Sequence, residues 1–183
     1  MALFGFALAG ILLGLALNLY HGKKSNLKGI YEIRALWLPI AGLLLESIFT
    51  YFPRFALQFA GLIICTSYLC IFVFLFLNRV IKIPVVLIAA GSLSNFIVIL
   101  CNGFRMPVSP ASLAMYPNMT AAAVYAQRGN YFIAQSGANL YFLGDVIPSP
   151  LGAMGGFLSI GDLLLGFGIL LFIVAILTKW QED

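Results

Sequence analysis

Charge is what this 183-residue chain has least of: 9% of its residues are Asp, Glu, Lys or Arg, against roughly 25% in a soluble domain. Together with 62% hydrophobic residues and a mean hydropathy of +1.05, that shortage excludes an ordinary water-soluble enzyme and a disordered protein. Histidine occurs once, as His21, so neither a zinc cluster nor a serine–histidine dyad can be drawn. The three cysteines, Cys65, Cys70 and Cys101, stand inside apolar runs without metal spacing or a disulfide framework, and read as small packing residues. A phosphate-cradling Gly-x-x-x-x-Gly-Lys loop is missing. The net charge of +4 is spread over short loops, too thinly for a nucleic-acid backbone. No cofactor is implied, and no catalytic pair emerges.

What the chain has instead is apolar runs of about 20 residues, the length that crosses a ~30 Å hydrocarbon layer as helix. They predict an all-α integral membrane protein forming one domain over residues 1–183, with helices at about 2–20, 35–52, 55–77, 84–103 and 159–178. The first run has no basic segment before it, and Lys23, Lys24 and Lys28 follow it, an order that suits a retained helix rather than a cleaved signal. Five passes put the termini on opposite sides. With the N-terminus outside, Lys23, Lys24, Lys28, Arg34, Arg79, Lys82 and Lys179 fall inside and Arg54, Arg105 and Arg128 outside, the positive-inside pattern.

Residues 104–157 form a long outer connection rich in proline, glycine and aromatics, with Arg105, Arg128 and Asp145 its only ionisable groups bar the tyrosines. So apolar a segment is expected to fold as a cap on the outer end of the bundle, with a short helix near Thr120–Gln127.

A charged side chain at mid-depth costs at least ~2.5 kcal/mol, so each polar residue in a span asks for a reason. Glu46 lies ~16 Å along the second helix, close to the midplane. Pro39, Gly42, Glu46 and Thr50 form one stripe there, Gln58, Gly61, Cys65 and Tyr68 a second on the third helix, and Gly91, Asn95 and Asn102 a third on the fourth. Such stripes face protein or a cavity rather than lipid. Glu46, Gln58, Asn95 and Asn102 are therefore the candidate ligand-binding residues. For the amides the competing use is interhelical hydrogen bonding. For Glu46 the choice lies between a protonated structural carboxyl and one that holds an ion or cationic ligand.

Ser159-Ile160-Gly161-Asp162 has the spacing of a helix N-terminal capping pair. Asp145 suits a turn, and Arg105, Asp145 and Asp162 together can latch the cap to the bundle. Gly10, Gly14 and Asn18 share a close-packing face on the first helix, usable within the chain or toward a second copy or a larger membrane complex. Intramembrane aspartyl proteases carry Gly-x-Gly-Asp; here both Leu143-Gly144-Asp145 and Ile160-Gly161-Asp162 follow a residue other than glycine at the first position.

Asn102-Gly103, Met106-Pro107-Val108, Leu143-Gly144-Asp145-Val146-Ile147-Pro148 and Ser159-Ile160-Gly161-Asp162 taken together resemble a family of small bacterial multi-pass membrane proteins of unknown function. The resemblance implies a bacterial cytoplasmic membrane and no particular activity, and it draws attention to Asn102, Arg105, Asp145, Pro148 and Asp162. The readings left open are a ligand-binding, sensing or transport-related protein, a non-catalytic accessory subunit and, last, an intramembrane enzyme.

Overall fold

The computed structural model describes residues 2–23, 33–115, 120–122, 124, 130–134, 137–148 and 156–178. Helix dominates it: α1 (Ala2–Tyr20), α2 (Trp37–Tyr51), α3 (Pro53–Gln58), α4 (Ala60–Leu77), α5 (Lys82–Cys101), α6 (Pro110–Ala114) and α7 (Ile160–Leu177). Four of these, α1, α4, α5 and α7, are long and apolar enough to cross a membrane. The fifth expected pass is shorter than its apolar run, since α2 has 15 residues, or ~22 Å of helix.

Proline explains why α2 stops. Pro53 has no N–H to donate and its ring drives the residue before it out of the helical region, and Phe52 sits at φ −133°, ψ 59°. The chain does not turn directly into the next long helix as the sequence suggests. It makes one short helix, α3, and breaks again at Phe59 before α4 begins. Gly42 of α2 lies against Ser67 of α4, an antiparallel pairing that leaves α3 as the crosspiece between the two.

The helices pack in the order α1, α7, α5, α4, α2. Glycines set the closest approaches. A Cβ on Gly91 of α5 would strike the Gly161 carbonyl of α7, and a Cβ on Gly10 of α1 would lie 2.8 Å from the Leu170 carbonyl. The glycine face of α1 is thus occupied within the chain, by α7. Gly10 meets Leu170 and Gly14 meets Leu177, so α1 and α7 run parallel; α5 opposes α7, because Gly91 meets Gly161 while Ile88 meets Gly168.

Between α5 and α7 lies the cap, which is not purely helical. Three short residues of strand, β1 (Met106–Val108), pair in parallel with β2 (Tyr131–Ile133), and β3 (Ile147–Pro148) pairs antiparallel with β4 (Phe157–Leu158). Such pairs bring the ends of a long connection together where a helix would separate them. Asp145 joins β1 as well: its N–H donates to the Pro107 carbonyl at 2.9 Å and its carbonyl accepts from Ser109 N–H at 3.1 Å. The expected helix at 120–127 is helical at its described residues 121, 122 and 124, where Val124 N–H donates to the Thr120 carbonyl at 3.1 Å; residues 123 and 125–127, like Lys24, Lys28, Arg128 and Lys179, lie outside the described residues.

Two apolar clusters fill the bundle. One, around Phe49, Ile64, Tyr68, Val98 and Met106, lies beneath the cap. The other, around Leu38, Leu75, Val85, Phe172 and Ile176, fills the opposite end.

Candidate functional site

Two polar arrangements sit under the capped end. The first joins α5 to α7. Ser159, in extended conformation before α7, accepts the Asp162 N–H on its hydroxyl at 2.9 Å, while the Asp162 carboxylate accepts the Ser159 N–H at 3.0 Å. This reciprocal cap satisfies two backbone donors that have no partner inside the helix. Asn95 closes the ring: its amide donates to the other Asp162 oxygen at 2.8 Å, and its carbonyl oxygen accepts from the Ser159 hydroxyl at 2.8 Å. Gly161 makes the approach feasible, since any Cβ there would overlap the Asn95 side chain.

The second arrangement joins α2 to α4. The Ser67 hydroxyl lies 3.0 Å from Glu46 Oε1 and 3.1 Å from the Gly42 carbonyl oxygen. Gly42 permits this contact, because the Ser67 carbonyl passes only 3.1 Å from where its Cβ would be. A serine has one proton, so these two acceptors share or compete for it.

Tyr68 stands between the two. Its ring packs on Phe96 of α5 at 4.9 Å and on Phe72 at 6.3 Å. Ser92, one turn before Phe96, is fully enclosed, and its Oγ has no hydrogen-bond partner among the described residues. An enclosed hydroxyl without a partner is a place where a water or ligand atom gains a hydrogen bond. The composition of the long apolar helices sharpens the electrostatics: α1, α2, α4, α5 and α7 contain two carboxylates, Glu46 and Asp162, and one cation, Lys82. That lysine is exposed at the first position of α5, at the far end of the helix.

The other expected site residues lie elsewhere. Gln58 is exposed at the end of α3, because the helix breaks at Phe59 and the Gln58-to-Tyr68 stripe is not continuous; Cys65 and Thr50 are exposed too. Asn102 caps α5, where its amide donates to the Val98 carbonyl at 2.7 Å and pairs with the backbone of Asn139. Arg105 is exposed, and Asp162 is held by Asn95 rather than by a cation. Asp145 is buried against β1. Among the described residues an amide pairing ties the cap to α5, with Asn139 donating in addition to the Cys101 carbonyl at 2.9 Å. Among the described residues no group of three or more His, Cys, Asp or Glu side chains is placed to hold a metal ion.

Tyr68 and Ser67 carry the junction, and a stripe argument finds only the first of them. Ser67 escapes notice because a serine in a span is unremarkable until its partner on the neighbouring helix is known.

A family model matches residues 30–174, from the approach to α2 through most of α7. The chain belongs to DUF5317, a family of unknown function. No curated protein and no solved structure matches it. The DUF5317 match takes in both polar arrangements and the cap, and leaves out all of α1.

Proposed function

We propose that this DUF5317 chain is a multi-pass protein of a bacterial cytoplasmic membrane, with its N-terminus outside and its C-terminus in the cytoplasm, that binds a small cationic or polar ligand beneath its cap in a sensing or transport-related role. The observation that carries this reading is the Glu46 carboxylate, set at mid-helix against Ser67. An acidic group at that depth is costly, whereas the other carboxylate, Asp162, caps its own helix within the ring of Ser159 and Asn95. With the one basic residue of these helices at their far end, the junction has the sign to attract a cation.

Native mass spectrometry of the protein released gently from its own membrane tests the proposal. The expected result is a small-molecule adduct that Glu46→Gln removes, since that change keeps shape and abolishes ionisation. An adduct retained unchanged by Glu46→Gln takes the ligand away from this carboxyl. Excess mass of protein size makes the chain an accessory subunit instead.

A further inference from the structure

The capped end carries two apolar patches that the bundle does not use. One is the crosspiece between α2 and α4: Tyr51, Phe52 and Phe55 are 74%, 65% and 55% exposed, and Arg54 projects among them. The other lies in the cap, where a 3₁₀ turn at Tyr141–Leu143 leaves Phe142 61% exposed while Leu143 packs inward on the cluster beneath. Leu140 opens that turn at φ 51°, a left-handed conformation that is unfavourable for a branched side chain.

We infer that these two patches seat the capped end in the headgroup layer of a phospholipid bilayer, so that the cap lies on the membrane instead of standing in water. Three observations select lipid as the occupant. First, each patch continues a face that already suits hydrocarbon: α2 leads to Phe52 through exposed Leu43 and Leu44, and α5 leads to the turn through exposed Leu93 and Leu100. Second, the patches belong to different helices but flank one core cluster, in which Phe49 and Ala56 pack with Val98, Ile99 and Met106 and Leu143 closes on it. Third, the chemistry is interfacial. Aromatic side chains favour the boundary between hydrocarbon and headgroups, exposed Arg54 and Arg105 suit phosphate oxygens, and residues 130–144 include no charged side chain to resist burial. This inference rests on the membrane location proposed above but not on the ligand.

The test places single tryptophans at Phe55→Trp and at Phe142→Trp in a Trp37→Phe, Trp180→Phe background. The proteins are reconstituted in phosphatidylcholine–phosphatidylglycerol vesicles whose acyl chains are brominated either near the headgroup or near the terminus. Both tryptophans are expected to lose most of their emission to the shallow bromines, less to the deep ones, and little to aqueous acrylamide. Quenching by acrylamide with none by bromine overturns the inference, because the cap then stands in water. Shielding from both quenchers also overturns it and assigns the patches to a protein partner. Hydroxyl-radical labelling of the unaltered protein gives a reading free of substitutions: Tyr51 and Phe142 are expected to be protected in vesicles, and labelling there as heavy as in the unfolded chain overturns the inference. The ligand proposal fails separately, by the Glu46→Gln adduct.

Discussion

The two ends of the bundle are held by the same device and differ in almost everything else. At one end Asn78, the residue that closes α4, donates to the Phe74 carbonyl of its own helix at 2.8 Å and pairs through its amide with both backbone groups of Arg34 at 2.9 Å. At the other end Asn102 closes α5, donates to Val98, and pairs in the same way with Asn139. An asparagine amide imitates a peptide group, so one side chain can finish a helix and grip a loop at once. What is gripped differs. The Asn78 end holds connections bearing exposed Lys23, Arg34, Arg79 and Lys82, whereas the Asn102 end holds an aromatic cap whose 54 residues include three charged ones, Arg105, Arg128 and Asp145. The clamp is indifferent to charge; the solvent each end meets is set by the residues beside it.

The comparison breaks first at the glycines. Gly161→Ala forces a methyl into the Asn95 side chain and to 2.8 Å from the Gly91 carbonyl, so it adds backbone overpacking to the loss of the Ser159–Asn95–Asp162 ring. The expected loss is roughly 3 kcal/mol or more, measured by denaturant titration in detergent micelles. At the other end Gly14→Ala meets the Leu177 side chain, which can turn aside, and roughly 1 kcal/mol is expected. Equal losses at the two positions would mean that the polar ring adds nothing to the α5–α7 contact.

Next come the clamps themselves. Asn78 is buried, and Asn78→Ala leaves the Arg34 backbone and the Phe74 carbonyl short of partners away from water, for roughly 1–3 kcal/mol. Asn102 is half-buried and its bonds to Asn139 are exposed, so water replaces them and Asn102→Ala is expected to cost roughly 0.5–1 kcal/mol. If the order of these two losses were reversed, burial would not be what distinguishes the two ends.

Much of this arrangement is legible in the residue order. Helix ends near 20, 77, 101 and 177 follow from apolar runs closed by polar residues, and Ser159-x-x-Asp162 states its own cap. Three things could not be read. Pro53 announces a break, but one proline does not reveal that Phe59 will break the chain again, and that second break turns Gln58 outward. The asparagines were visible as polar residues at helical spacing, yet Asn95 and Asn102 do different work because one faces α7 and the other ends its helix. Spacing reports which residues share a face; it does not report which helix lies opposite. The strand pairs of the cap are two or three residues long, too short for any alternation to show.

The smallest effect is the one that separates an amide clamp from an ionic latch. Arg105 stands three residues beyond Asn102, and with Asp145 and Asp162 in the same sequence region it is the obvious candidate to pin the cap by charge. Its side chain is exposed instead, while Asp145 is buried against β1 and Asp162 is engaged by Asn95 and the Ser159 amide. An exposed arginine in that position contributes within about 0.5 kcal/mol. Limited proteolysis in detergent decides the matter. Asn102→Ala frees Asn139 and is expected to speed cleavage of the cap, and Arg105→Ala is expected to leave the rate unchanged. Should Arg105→Ala cleave faster than Asn102→Ala, charge holds the cap after all, and the likeness between the two ends stops at the helix termini.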